Sequence, residues 1–428
     1  MSTLTHTSEP RTAGIAAGPM LGRGEARYRL LLLALFAAGV VTFAQLYAPQ
    51  GVLPLIQAER GWNLSTSQAS LTISAATFGL AASVLVWAVL AKRFGTFPII
   101  CASLAITTVM SFLSVAAPSF GALLVIRVLL GIGAAGMAAL SVAYIVERVN
   151  PGDVPVVAGI YVSGTTIGGL SGRVVGAGLA GFGWRGSLLA VAVTSLLFAA
   201  IFVFAGWKSR PRPAPHRDNS AAARTTTGMS DLVLCLTHRP ALGLYALIFV
   251  LMGSLVALYN YFSFHLTDPP YGLSTAAVGL FYFAYLGGTV GARIAGSAAG
   301  RFGRGRTLGV AVALMLVGAC LTLQRNLVGL AAGLLLFTTA FFAAHAVASG
   351  WVGQIAGPQH SATASALYSL FYYAGSAILG WLLGFPYQHF GWTPFVLALT
   401  AGCLVTATLS WALLRRRDST AHPGLRSR

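Results

Sequence analysis

The chain has 428 residues, 56% of them hydrophobic and only 8% charged, with Lys+Arg 27 against Asp+Glu 9 and a formal net charge of +18. Soluble domains carry about 25% charged residues, so an ordinary water-soluble fold is excluded, as are disorder, collagen and coiled coil. In a soluble protein the basic excess would suggest nucleic acid. Here it lies in alternate loops between apolar blocks, and no nucleic-acid partner is expected.

Residues 1–29 are polar, lack an apolar signal core and read as a cytoplasmic tail before a retained first helix. No Asp, Glu, Lys or Arg occurs between Arg29 and Glu59, between Arg60 and Lys92, or between Arg325 and Arg415. Apolar runs of 18 or more residues read as membrane spans. Six are expected at 30–56, 68–91, 97–117, 121–146, 154–180 and 186–207, giving an N-terminal bundle over 30–207. Residues 208–240 are rich in Arg, Pro, Ser and Thr and read as a cytoplasmic linker. Six more follow at 241–266, 274–298, 307–324, 327–352, 362–385 and 393–414, giving a C-terminal bundle over 241–414 and a basic tail over 415–428. The fold class is all-α membrane protein with twelve transmembrane helices.

Loop charge sets the orientation. Lys92 and Arg93 follow the second span, Arg148 the fourth, Arg301, Arg304 and Arg306 the eighth, and Arg415, Arg416 and Arg417 the twelfth. The alternate loops hold only Arg60, Arg185 and Arg325. The positive-inside rule puts both termini in the cytoplasm. The two halves also repeat each other. Leu64-Ser65-Thr66 recurs as Leu273-Ser274-Thr275, Arg93-Phe94-Gly95 as Arg301-Phe302-Gly303, and Phe182-Gly183-Trp184 as Phe390-Gly391-Trp392, each pair 208 or 209 residues apart. Three matches in register mark a duplicated six-helix unit. Parallel repeats with a site between them near the midplane are the arrangement of a secondary transporter.

On these residues the sequence resembles the major facilitator superfamily across all twelve spans. That family's loop after the second span reads G-x-x-x-D-R-x-G-R-R. Here Lys92-Arg93-Phe94-Gly95-Thr96 keeps the central arginine and glycine, with lysine at the acidic position. The second copy, Gly296 to Arg304, keeps its glycines and arginines and has Gly300 at the acidic position. The resemblance thus makes Arg93, Gly95, Arg301, Gly303 and Arg304 gating-loop residues, without the acid through which the family's cytoplasmic gate is thought to lock. Arg127-Val128-Leu129-Leu130-Gly131 is similar to the R-x-x-x-G element associated with proton coupling. Gly164 to Gly169 is similar to the antiporter element G-P-x-x-G-G, with Thr for Pro. Gly159 to Arg173, Phe341 to His345 and Leu370 to Gly375 resemble a bacterial inner-membrane branch of sugar (arabinose-type) or drug exporters. The resemblance implies a multi-pass protein of the bacterial inner membrane. It implies a monomer in the bilayer that exports a small organic solute (sugar, drug or organic anion) in exchange for protons. Import or uniport on the same fold stays open.

Candidate site residues follow from chemistry. Arg127 and Arg173 are costly in hydrocarbon, about 2.5–3.5 kcal/mol each on insertion scales. They fall near one level of neighbouring helices, where an arginine pair would favour an anionic or strongly polar substrate. Gln45, Tyr47 and Gln50 beside Pro49 and Pro54, with Tyr161, Tyr259, Asn260, Tyr261, Tyr372 and Tyr373, can orient a polar ligand without fixed charge. No carboxylate lies inside a predicted span, so a coupled proton falls to Glu59, Glu147 or His345. Imidazole has an unperturbed pKa of about 6.5, which makes His345 the sharpest candidate. Gly131-Ile132-Gly133-Ala134-Ala135-Gly136 fits G-x-G-x-x-G but lies inside a span, where small residues let helices approach. The four cysteines form no metal spacing. No metal, cofactor, disulfide or enzymatic activity is expected.

Overall fold

The computed structural model of the chain describes residues 20–210 and 229–420, with side chains over 20–210 and 230–414. The expected tails before residue 20 and after 420, the side chains of Arg415 to Arg417 and linker residues 211–228 lie outside the described residues. Twelve helices are long and apolar enough to cross a bilayer: α1 (Ala26–Gln57), α2 (Thr66–Phe94), α3 (Thr96–Val115), α4 (Phe120–Val146), α5 (Pro151–Gly178), α6 (Ala180–Lys208), α7 (Arg239–Thr267), α8 (Thr275–Phe302), α9 (Arg304–Leu321), α10 (Leu327–Ala356), α11 (Ser361–Phe390) and α12 (Trp392–Leu414). Their surfaces carry exposed Phe78, Val89, Val125, Leu197 and Val328, the face a hydrocarbon solvent requires.

The repeat seen in the sequence recurs in the backbone. Gly95 and Gly303 each end a helix at φ near +85°, and Gly183 and Gly391 turn the chain at φ +71° and +81°. Those angles are open to glycine at little cost. Ser65 and Ser274 both cap the following helix, accepting from the backbone N–H of Gln68 and Ala277 at 3.2 Å. One stretch departs from expectation. Within the 208–240 segment, Met229–Thr237 is helical, because Leu232, Cys235 and Leu236 lie one helical face apart and pack on the core.

Glycine sets the helix spacing. On α5, Gly164, Gly168 and Gly172 recur every fourth residue against the α1 backbone. A Cβ on any of them would meet the main chain at Phe36, Val40 or Ala44. Gly131 likewise abuts Ala76 of α2, while Gly133 and Gly136 abut Thr107 and Ser103 of α3. The G-x-G-x-x-G run is therefore a packing stripe.

Candidate functional site between the two halves

Two prolines break α1. Pro49 has no N–H for the carbonyl of Gln45, and Pro54 has none for the carbonyl of Gln50. The helix accordingly passes through a 3₁₀ turn over Ala48–Val52. In hydrocarbon the freed carbonyls need partners, and each finds one. Arg127 Nη1 donates to Gln45 O at 2.9 Å, its Nη2 to Leu46 O at 2.6 Å and its Nε to Thr72 O at 2.9 Å. The Tyr282 hydroxyl donates to Gln50 O at 2.8 Å. Arg127 is 1% exposed and spends all three nitrogens on main chain of the first half. It is placed as a clamp on the α1 break.

Arg173, also buried at 2% exposure, is held differently. Its Nε donates to Gln50 Oε1 at 2.6 Å and its Nη1 to Gly169 O at 2.5 Å. The guanidinium carbon lies 4.6 Å from the ring centre of Tyr47, 5.1 Å from that of Tyr259 and 4.5 Å from that of Tyr285. Gln50 Nε2 donates to Asn260 Oδ1 at 2.6 Å, and Asn260 Nδ2 donates to Gly380 O at 3.2 Å. A continuous polar chain thus runs from α5 through α1 and α7 to α11, crossing from the first six helices to the last six. The second broken helix flanks it, since α8 passes through a 3₁₀ turn at Tyr282–Leu286. Discontinuous helices at the repeat interface are where transporters of this architecture bind substrate.

Around this chain the halves are closed toward the end of the bundle bearing the 58–65 and 268–274 loops and the turn at Gly391 between α11 and α12, called here the distal end. Ser67 Oγ donates to Gln388 Oε1 at 2.7 Å, and the Ser70 and Tyr261 hydroxyls are 2.8 Å apart. These two contacts join the halves on this side, and the Gln50–Asn260 and Tyr282–Gln50 bonds join them at the polar chain. Toward the opposite, proximal end the walls are aromatic. The ring of Tyr285 meets that of Phe342 at 5.1 Å, and His345 meets Tyr372 at 4.9 Å and Tyr368 at 5.7 Å. His345 and Tyr372 are half-buried, and His345 Nδ1 is 3.0 Å from the Tyr368 hydroxyl.

The structure therefore gathers Gln50, Arg173 and Asn260 into one cluster. It places His345 and Tyr372 on the wall below that cluster and Tyr161 buried on the N-terminal side. Arg127 stands apart from them. Gln45 also stays within the first half, donating to Val191 O at 3.0 Å. Glu59 accepts from Trp184 Nε1 and Arg185 Nη2 at 2.8 and 3.1 Å, and Glu147 accepts from Thr96 Oγ1 at 2.7 Å. In the gating loops Arg93 and Arg301 are exposed beside Phe94 and Phe302, and Arg304 donates to Gln354. Outside the spans, Asp153 holds the Arg23 guanidinium above its ordinary pKa through a 2.5 Å ion pair. Burial pushes the Asp268 carboxyl up. Sequence reasoning missed Tyr282, Tyr285 and Ser376. The aromatic run Phe281 to Tyr285 was visible, but nothing in its spacing announced the 3₁₀ turn that aims it at α1. Among the described residues no group of three His, Cys, Asp or Glu could hold a metal. A groove of about 540 Å³ between α8, α9 and α10, with Arg306 at its inner end, opens on the lipid-facing side, away from this cluster.

A family model described as Major Facilitator Superfamily matches residues 30–297. The Escherichia coli inner membrane transport protein YnfM is 37% identical over 396 residues, covering 92% of this chain and 93% of its own. The uncharacterized MFS-type transporter YybF of Bacillus subtilis is 34% identical over 395 residues, covering 92% and 95%. Among solved structures, a bacterial homologue of the human lysosomal transporter Spinster, inward-facing and unoccupied, superposes with a TM-score of 0.74 at 15% identity, covering 94% of this chain and 100% of that one.

Proposed function

From the premise that the chain belongs to the major facilitator superfamily and is a membrane transporter of a small solute, not an enzyme, we propose that it exports a small organic solute by alternating access coupled to protons. The observation that carries the reading is the polar chain from Arg173 through Gln50 and Asn260 to Gly380. It joins the halves at one depth under a closed distal end. A site built from both halves exchanges its partners when the halves rock, which is what moves a solute from one side to the other. The loop charges support cytoplasmic termini and a placement in the bacterial inner membrane, so the closed distal end faces outward and the site is reached from the cytoplasm. In this reading the six-helix units 30–207 and 241–414 are the moving bodies, the Arg93 and Arg301 loops mark their cytoplasmic edge, and the protein works as a monomer. His345 is the proton carrier, since α1 to α12 hold no acid in their interior and Glu59 and Glu147 are committed to partners at helix ends.

Counterflow in proteoliposomes tests this. Vesicles preloaded with an unlabelled solute take up its labelled form transiently if the protein exchanges it. An imposed proton gradient then accelerates the exit of that solute if coupling is antiport. Gradient-driven accumulation instead would show import, and indifference to the gradient would show uniport.

A further inference from the structure

We propose that the site takes a small organic monocarboxylate whose charge is received by Arg173, an inference that rests on the transport reading above and names its substrate class. The two buried arginines of the first half differ in what they bind. Arg127 has every nitrogen on a main-chain carbonyl. Arg173 has acceptors for Nε and Nη1, while Nη2 has none within hydrogen-bond geometry among the described residues. No carboxylate balances it. The ion pairs among the described residues join Arg23 to Asp153, Arg185 to Glu59 and His360 to Asp231. Besides its two neutral acceptors, the guanidinium is offset by the rings of Tyr47, Tyr259 and Tyr285 and by the nearby Tyr285 hydroxyl, all uncharged. A buried cation without a counter-ion is unfavourable in a low-dielectric interior, and an arriving anion removes that cost.

Two further groups point to the same ligand. The Tyr47 hydroxyl and Ser376 Oγ are buried and have no hydrogen-bond partner among the described residues. They belong to α1 and α11, one from each half, and lie near each other, with the Tyr47 ring centre 4.6 Å from the guanidinium carbon. Buried polar groups are rarely left unpaired, and an exception calls for an explanation. Nη2 of Arg173 and the hydroxyl of the Tyr47 ring on which the guanidinium stacks are donors left over among the described residues, and such donors fit the oxygens of a carboxylate. The neighbouring walls set the rest of the ligand. Tyr285, Phe342, Phe341 and Tyr372 run from this point toward the proximal end with ring centres 5.1 to 6.4 Å apart. An aromatic or otherwise apolar body fits such walls. A second fixed charge does not, because the only other buried guanidinium of the first half is fully bound.

The test is thermal stabilisation of the purified full-length protein by sodium benzoate, cinnamate and octanoate, each against its neutral amide and against sodium chloride at equal ionic strength. At least one acid is expected to raise the melting temperature in a saturable way while its amide does not. Arg173→Gln is expected to weaken that acid by about tenfold to a hundredfold, the range for a hydrogen bond to a charged group. Arg173→Lys keeps the charge without the planar fork and falls between. Tyr47→Phe and Ser376→Ala remove the unpaired hydroxyls without loss of an existing bond, so both are expected to melt as the parent does and to bind the acid less tightly. They decide the matter if Arg173→Gln fails to fold. Equal stabilisation by acid and amide, affinity unchanged in Arg173→Gln or in both hydroxyl variants, or no response to any acid would overturn the carboxylate assignment. Counterflow of a neutral solute by a protein that ignores the acids would leave the transport reading standing. Absence of counterflow with every solute would sink that reading instead.

Discussion

Replacing Gln50 with Leu separates the bonds that hold the halves together from those that only hold the first half. The Gln50 amide makes bonds of both kinds: it accepts from Arg173 on α5 at 2.6 Å and donates across to α7, chiefly to Asn260 at 2.6 Å and at the 3.5 Å limit to Val256 O. The first bond persists however the halves move, so its loss costs both conformations. The second exists only while the distal end is closed. Without it the Asn260 carbonyl is buried and unpaired in the closed state, a cost of about 1–3 kcal/mol, and it is free to meet water in the open one. The closed-to-open ratio should therefore fall by a factor of about 5 to 150, at 1.4 kcal/mol per tenfold. Spin labels at Arg60 and Ala276, exposed at the distal ends of opposite halves, report the ratio as a distance distribution in double electron–electron resonance. Gln50→Leu should populate a longer distance. Gln45→Leu, which breaks a bond confined to the first half, should not. An unchanged distribution in Gln50→Leu, or the same lengthening in both variants, would show that the Gln50–Asn260 bond does not hold the distal end closed.

Other consequences follow from the same geometry. Arg127→Leu strips the Gln45, Leu46 and Thr72 carbonyls of a donor and should cost about 1–3 kcal/mol for each one left unpaired, read as a large drop in melting temperature; a parental melting curve would show that the clamp is dispensable. His345→Gln keeps a hydrogen-bonding partner for Tyr368 but cannot take up a proton. Exchange should persist in proteoliposomes while acceleration by a pH gradient disappears, and a parental gradient response would return His345 to a packing role. Single cysteines at Ser220 and Thr267 test the orientation: only the second should react with an impermeant thiol reagent added outside intact cells, and the reverse pattern would invert the topology.

Span number, span order and the duplication were legible in the sequence because hydrocarbon imposes a strict rule, long uncharged runs punctuated by glycine, proline and arginine. The break in α1 was legible too, since Pro49 and Pro54 remove fixed donors. What answers each break was not. Arg127 lies far from Pro49 in the chain, and only the crossing of α4 over α1 brings its fork to the Gln45 carbonyl. Arg127 and Arg173 looked alike as rare intramembrane cations at one level, yet one ends on main chain and the other among tyrosines, a difference that depends on helix rotation. The Met229–Thr237 helix escaped notice because three apolar residues on one face, next to a Pro- and Arg-rich stretch, are too few to stand out as a period.

In the proposed transport cycle the two halves must part at the distal end for solute to cross. Ser67 and Gln388 meet across that seam at 2.7 Å between side-chain oxygens, close enough for cysteines at both positions, in a chain whose Cys101, Cys235, Cys320 and Cys403 have been replaced by serine or alanine, to be bridged by a short bis-methanethiosulfonate reagent. Counterflow of a solute exchanged by the parent should stop in the bridged pair, return on addition of dithiothreitol, and be unaffected by the reagent in either single-cysteine variant. Full exchange by protein shown to be crosslinked would contradict the account.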